Sequence, residues 1–137
     1  MSFLLDTNVV AEIRKRNPDP GVATWFTSVS ADELFLSVLV VGAIRQGVAR
    51  LARRDGAQAE TYERWLDQLI EAYGDRIVPI TSDVAQIWGR LNVPDPLPVV
   101  DGLLAATALM HGWTLVTRNV NDVRSTGVQL LNPFDGR

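Results

Sequence analysis

Cysteine is absent from this chain, and histidine and lysine each occur once. Without cysteine there is no disulfide, no thiol nucleophile and no thiolate metal site. The single histidine, His111, precedes Gly112 at an expected helix end, where a partly charged imidazole would favour the helix dipole. Any metal ion must then be held mainly by oxygen, which suits magnesium or manganese. No apolar run is long enough to cross a bilayer, and no leader or lipidation motif is visible. The cytoplasm is therefore the expected location, with no membrane partner. A glycine-rich phosphate turn is also missing, which removes dinucleotide binding.

What is present reads as one domain over residues 1–137, with 47% hydrophobic and 21% charged residues. A net charge of −3 does not mark a nucleic-acid binder. The distribution of charge says more than the sum. Twelve of the 13 basic residues are arginines, and Arg45, Arg50, Arg53 and Arg54 fall within ten positions, with Arg14-Lys15-Arg16 as a second cluster. Arginine suits bidentate contacts to phosphate, although a run of charge also serves as a solvated helix face.

Strand and helix patterns alternate along the chain. Phe3 to Leu5 reads as a strand, and Thr7 onward as a helix carrying Val9, Val10 and Ile13. Asn17 to Gly21 reads as a loop, Val22 to Ser28 as a short helix and Leu34 to Ser37 as a strand. Val38 to Arg54 and Ala57 to Tyr73 form a helical pair split by Asp55-Gly56. Ile77 to Ile80 is a short strand in which Pro79 signals an edge. A helix from Thr81 or Ser82 to Leu91, a proline-rich loop to Pro98 and a helix to about Met110 follow. That last helix has no charged residue after Asp101 and is expected to be buried. Thr114 to Thr117 and Val128 to Leu131 complete the strands. Such alternation implies a mainly parallel sheet in a three-layer α/β/α sandwich, with the helical pair protruding.

On that outline the carboxylates gather. Asp6 ends the first strand, Asp101 opens the buried helix, and Asn119 and Asp122 follow the strand ending at Thr117. Positions beyond the carboxyl ends of parallel strands share one edge of the sheet. Each residue also has a plainer use: Asp6 and Asn119 as helix caps, Asp101 as a dipole partner, Asp122 as surface. Clustered carboxylates repel one another unless a divalent cation joins them. Such a cation can also activate water for attack on a phosphodiester.

At this point the chain resembles a known family. Leu4-Leu5-Asp6-Thr7-Asn8, then Leu36-Ser37 with Gly42, Ile44, Arg45 and Gly47, are similar to the opening half of a PIN domain. Asp101 with Leu103 to Ala108, Thr117-Arg118-Asn119-Val120-Asn121-Asp122, and Leu130 to Phe134 resemble its second half. Within that family the likeness is to the VapC and FitB-like toxins of bacterial toxin–antitoxin pairs. The resemblance implies a metal-dependent ribonuclease, commonly a homodimer, held inactive by an antitoxin. It matches Asp6 and Asp101 to the principal metal-ligating aspartates, with Asn119 or Asp122 completing the site and Thr7 and Thr117 beside them. Asn8 is expected to order the first loop.

One position departs. In the family pattern Ser-x-x-x-x-Gly-Glu-Ile-Arg-x-Gly, the catalytic glutamate falls where this chain has Ala43. Helical spacing places Ala43, Gly47, Arg50 and Arg54 on one face, apart from the stripe Val41, Ile44, Val48, Leu51. The change is either engineered or the mark of a natural degenerate relative, and a single altered ligand in an intact pattern favours the first. A receiver domain would need a lysine late in the chain, and a haloacid-type phosphatase a second aspartate where Asn8 stands. The rival reading is a catalytically dead module that keeps antitoxin or RNA binding. Arg45, Arg50, Arg53 and Arg54 are the expected RNA-backbone contacts, and Trp65, Leu69 and Trp88 are expected to exceed what one small core needs, in keeping with a homodimer.

Overall fold

A computed structural model of the chain describes residues 1–134. Five parallel strands form the centre, in the order β3-β2-β1-β4-β5. They are β1 (Phe3–Leu5), β2 (Leu34–Ser37), β3 (Ile77–Val78), β4 (Thr114–Val116) and β5 (Leu130–Leu131). Phe3 pairs with Leu34 on one side and Thr114 on the other, which fixes β1 as the middle strand. Its three residues are all buried, as an apolar run covered on both faces should be. Helices α1 (Thr7–Ile13), α2 (Pro20–Ser28), α3 (Val38–Ala52), α4 (Gly56–Tyr73), α5 (Ser82–Leu91), α6 (Val99–His111) and α7 (Val120–Val123) supply the crossovers. The result is the three-layer α/β/α arrangement expected from the alternation.

Local chemistry explains most boundaries. Helix α2 begins at Pro20 rather than Val22, because Asp19 caps the amides of Gly21 and Val22 and Pro20 occupies the first helical position. Thr81 caps α5 through the amide of Val84. Gly112, in the left-handed region at φ 72°, ends α6 one residue later than expected. Strand β3 stops at Val78 instead of Ile80, since Pro79 has no N–H for the ladder. As anticipated, β3 lies at the sheet edge and α6 is buried, from Leu104 to Ala108.

The pair α3–α4 pack on each other, and their outer end, from Ala52 to Gln58, is exposed throughout. Its base is pinned to the body. Trp65, Leu69 and Tyr73 of α4 lie against the main core, around a small space shared with Val10, Ile13 and Phe26. Trp65 and Leu69 are therefore used by the chain's own packing, and they supply no argument for a second copy. Trp88 is used as well: its indole edge lies against Gly102, where a Cβ would meet Trp88 Cδ1 at 3.1 Å. Among the described residues, no helix is long and apolar enough to cross a membrane.

Candidate functional site

The strand order changes direction at the junction of β1 and β4, the crevice where open α/β sheets bind ligands. Asp6 leaves β1 at that point. Its amide is tied to Val116 O of β4 at 2.9 Å, and only 6% of the residue is exposed. Its carboxylate is held from several directions. Oδ1 accepts the Thr7 amide at 2.7 Å; Oδ2 accepts the Thr117 hydroxyl at 2.7 Å and the Asn8 amide side chain at 3.3 Å. As an N-cap it is unusual, because its side chain bonds the first helical amide and not those of the second or third residue. Capping and site-building are thus served by one residue.

Thr117 carries the arrangement to the next loop. Buried at 1% exposure, its hydroxyl donates to Asp6 and accepts the Asn119 amide at 2.9 Å. Asn8 closes the other side, its carbonyl oxygen accepting the Arg118 amide at 3.3 Å. Asn8 therefore orders the loops, as expected. Asn119 sits at the N-cap of α7, yet its side chain makes no capping bond. Asp122 lies in the first turn of the same helix.

Asp101, in the first turn of α6, faces this cluster. Burial pushes its carboxyl above the usual carboxylate range, and the charges of Asp6 and then Asp122 push it further. The charges of Asp6, just past β1, and Asp122, on α7, thus both reach Asp101 on α6, and no cationic side chain offsets them there. Among the described residues, no three acids or histidines lie close enough together to form a ready cage for a metal. The donors still suit a hard divalent cation. Magnesium keeps several waters and takes one or two carboxylates, and Asp6 with Asp101 provide that number.

Beside the acids runs a cleft of about 420 Å³ between α1, α3 and α4. Thr7 and Ala43 border it, so Ala43 opens into the same space as the residue whose amide holds Asp6. Gly47 and Arg54 lie along it, whereas Arg50 does not. The apolar residues Ile44, Val48 and Leu51 border the same cleft, so the two faces of α3 are neighbours here. The most buried valine of α3 is Val40, outside this stripe, and within the stripe it is Val48.

The arginines separate into distinct roles. Arg45 bonds Glu63 at 3.2 Å and Asp67 at 2.9 Å, tying α3 to α4, so its charge is already matched. Arg50 and Arg53 are exposed at the end of α3. Arg14, in the less prominent basic cluster, enters the cleft instead, its guanidinium 4.1 Å from the Tyr62 ring centre and 5.6 Å from that of Trp65. Eight positions separate Arg14 from Asp6, close to two helical turns, which is the one sequence signal that relates them. His111 stands in the last turn of α6, as expected, but burial works against the partial charge anticipated there. Its ring lies flat on Trp113 at 4.1 Å, and burial lowers its pKa from the usual 6.5.

The PIN domain family profile matches residues 3–125. A VapC ribonuclease of Sinorhizobium fredii is 28% identical over 139 residues, covering 97% of this chain and 98% of its own length. The toxin FitB of Neisseria gonorrhoeae is 30% identical over 138 residues, covering 96% and 98%. The crystal structure of FitAcB from Neisseria gonorrhoeae superposes with a TM-score of 0.88 at 30% identity, over 96% of this chain and 97% of that one. This chain belongs to the PIN domain family, with VapC and FitB toxins among its relatives.

Proposed function

We propose that this chain is the toxin of a type II toxin–antitoxin pair, built as a magnesium- or manganese-dependent endoribonuclease. The observation that supports this most is the meeting of Asp6, Asp101 and Asp122 at the sheet's switch point, where burial raises the Asp101 carboxyl and the charges of Asp6 and Asp122 raise it further. Asp6 and Asp101 would hold the cation, with Asn119 or Asp122 assisting through water. When bound, the metal would neutralise the acids and supply an activated water. The chain's own part is positional. Thr117 and Thr7 fix both oxygens of Asp6, and Asn8 holds the two loops together.

Ala43 leaves that site without the carboxylate that would orient the attacking water and accept its proton. Cleavage by this chain is therefore greatly reduced, because in-line attack needs water and phosphate held together. The alternative reading, a catalytically dead module that keeps antitoxin or RNA binding, is favoured by the same residue.

The partners are a cognate antitoxin, RNA and a second copy of the chain, in the cytoplasm. Solved relatives include FitAB bound to a DNA fragment, with a TM-score of 0.87 at 29% identity over 96% of this chain and 94% of that one. By analogy, an antitoxin helix would pack near α3 and α4 and present a basic residue to Asp6 and Asp101. Two measurements test the reading. Manganese titration should show one weak site that Asp6→Asn or Asp101→Asn abolishes. Co-expression with the product of the adjacent gene should give a stable complex. Manganese binding indifferent to both substitutions would overturn the metal assignment, and no complex in large excess would overturn the partner.

A further inference from the structure

The cleft beside the acids has a chemistry of its own. Among its bordering residues, Arg14 and Arg54 are charged and none is acidic. Neither arginine has an ion-pair partner among the described residues, unlike Arg45. Arg14 is also pre-oriented. Its guanidinium carbon sits 4.1 Å over the Tyr62 ring, while its N–H donors have no protein acceptor among the described residues. A guanidinium held in that way presents a fork suited to phosphate oxygens. Below it, Ile44, Val48 and Leu51 give an apolar floor, and at the rim Gln58 donates to the Tyr62 hydroxyl at 3.2 Å.

The volume, about 420 Å³, falls within the range of about 300–1,000 Å³ that accommodates a small organic ligand. A flat apolar body with a phosphate attached meets all three requirements: size, floor and charge. Ala43 matters here too. A glutamate in its place would set a carboxylate at the border of the cleft and oppose an anionic ligand unless a cation were bound. The chain as it stands has no such opposition.

We propose that the cleft is a metal-independent site for one nucleotide unit of single-stranded RNA, with Arg14 and Arg54 on its phosphate and the base on the Ile44, Val48 and Leu51 floor. The assignment rests on the reading of the chain as an RNA-directed fold, and it deepens that reading by naming the contacts. It moves the main phosphate contact from Arg45, Arg50 and Arg53 to Arg14, with Arg54 retained.

Fluorescence anisotropy of a mixed-sequence eight-nucleotide RNA, in chelator, provides the test. The full chain should bind, and Arg14→Gln and Arg54→Gln should each weaken binding about tenfold. Each should also flatten the dependence of log K on log salt by roughly 0.7, the value for one lost phosphate contact on a single strand. Arg90→Gln, on α5, should leave affinity within about twofold. Ala43→Glu should weaken binding in chelator and recover it with magnesium. A thermal melt of each variant separates lost contacts from lost folding.

Absence of RNA binding by the folded chain in chelator would overturn the proposal, as would binding unaffected by Arg14→Gln and Arg54→Gln together. If Ala43→Glu cuts RNA while the cleft variants bind normally, the cleft assignment fails and the nuclease reading stands. If the cleft binds RNA and Ala43→Glu cuts none, the nuclease reading fails alone.

Discussion

Replacing Thr117 by valine removes one hydroxyl and nothing else of comparable size. That hydroxyl donates to Asp6 Oδ2 at 2.7 Å and accepts from the Asn119 amide at 2.9 Å. A hydrogen bond to a charged group contributes about 1.5–3 kcal/mol, and an amide left without an acceptor in a part-buried setting costs about 1 kcal/mol more. The expected loss is about 2–4 kcal/mol, out of a total stability typically about 5–15 kcal/mol. With a urea slope of about 1–3 kcal/mol/M, the unfolding midpoint should fall by roughly 1–2 M at neutral pH in chelator. Thr117→Ser keeps the hydroxyl and should lose about 1 kcal/mol for the missing methyl. The double-mutant cycle with Asp6→Asn should give a coupling of about 1 kcal/mol or more, since charge assistance disappears in that background. A Thr117→Val midpoint within 0.2 M of the unaltered chain, as a rough bound from the same slope, would refute the view that this bond holds the site.

Other consequences can be measured alongside. The pKa of His111 is lowered by burial, so the folded state favours the neutral ring. Its contribution is complete above about pH 6.5 and is lost as pH falls through the folded value, so His111→Phe should flatten the stability profile below that pH. Equal acid-side slopes for the two proteins would contradict this. Asp101 is raised by burial, Asp6 and Asp122, so its ionised form is penalised in the fold. Asp101→Asn should therefore raise the urea midpoint at pH 7 in chelator, with the gain vanishing below the ordinary carboxylate range; a lower midpoint would contradict that. Arg45→Ala breaks two exposed ion pairs and should cost less than about 1 kcal/mol, a limit that a larger loss in urea unfolding would exceed.

Much of this was legible in the sequence, for reasons that can be traced. Asp6 after an apolar run, and Asp101 at the head of a helix without later charge, announce themselves through local pattern, and the parallel sheet follows from alternation. The strand order then brings β1 beside β4, and Asp6 beside Thr117, across 111 positions. The cleft was not legible. It forms where α1 meets α3 and α4, and nothing in helical spacing tells that Arg14 will lie over Tyr62. Likewise Arg45 belongs to a conspicuous basic cluster, yet its partners Glu63 and Asp67 stand on another helix. Trp65 and Leu69 read as surplus surface because their partners on α1 and α2 are more than 35 positions away. Such pairings are decided by tertiary packing, which sequence periodicity does not encode.

The central claim is that the acids around Asp6 form a metal-dependent ribonuclease site lacking one carboxylate. Cleavage of total RNA by this chain, by Ala43→Glu and by Ala43→Glu combined with Asp6→Asn, each in magnesium and in chelator, tests it most directly. The account predicts strong cleavage by Ala43→Glu alone, in magnesium alone, with the other two proteins far weaker. Cleavage that survives chelator, or that is equal for all three proteins, would contradict it.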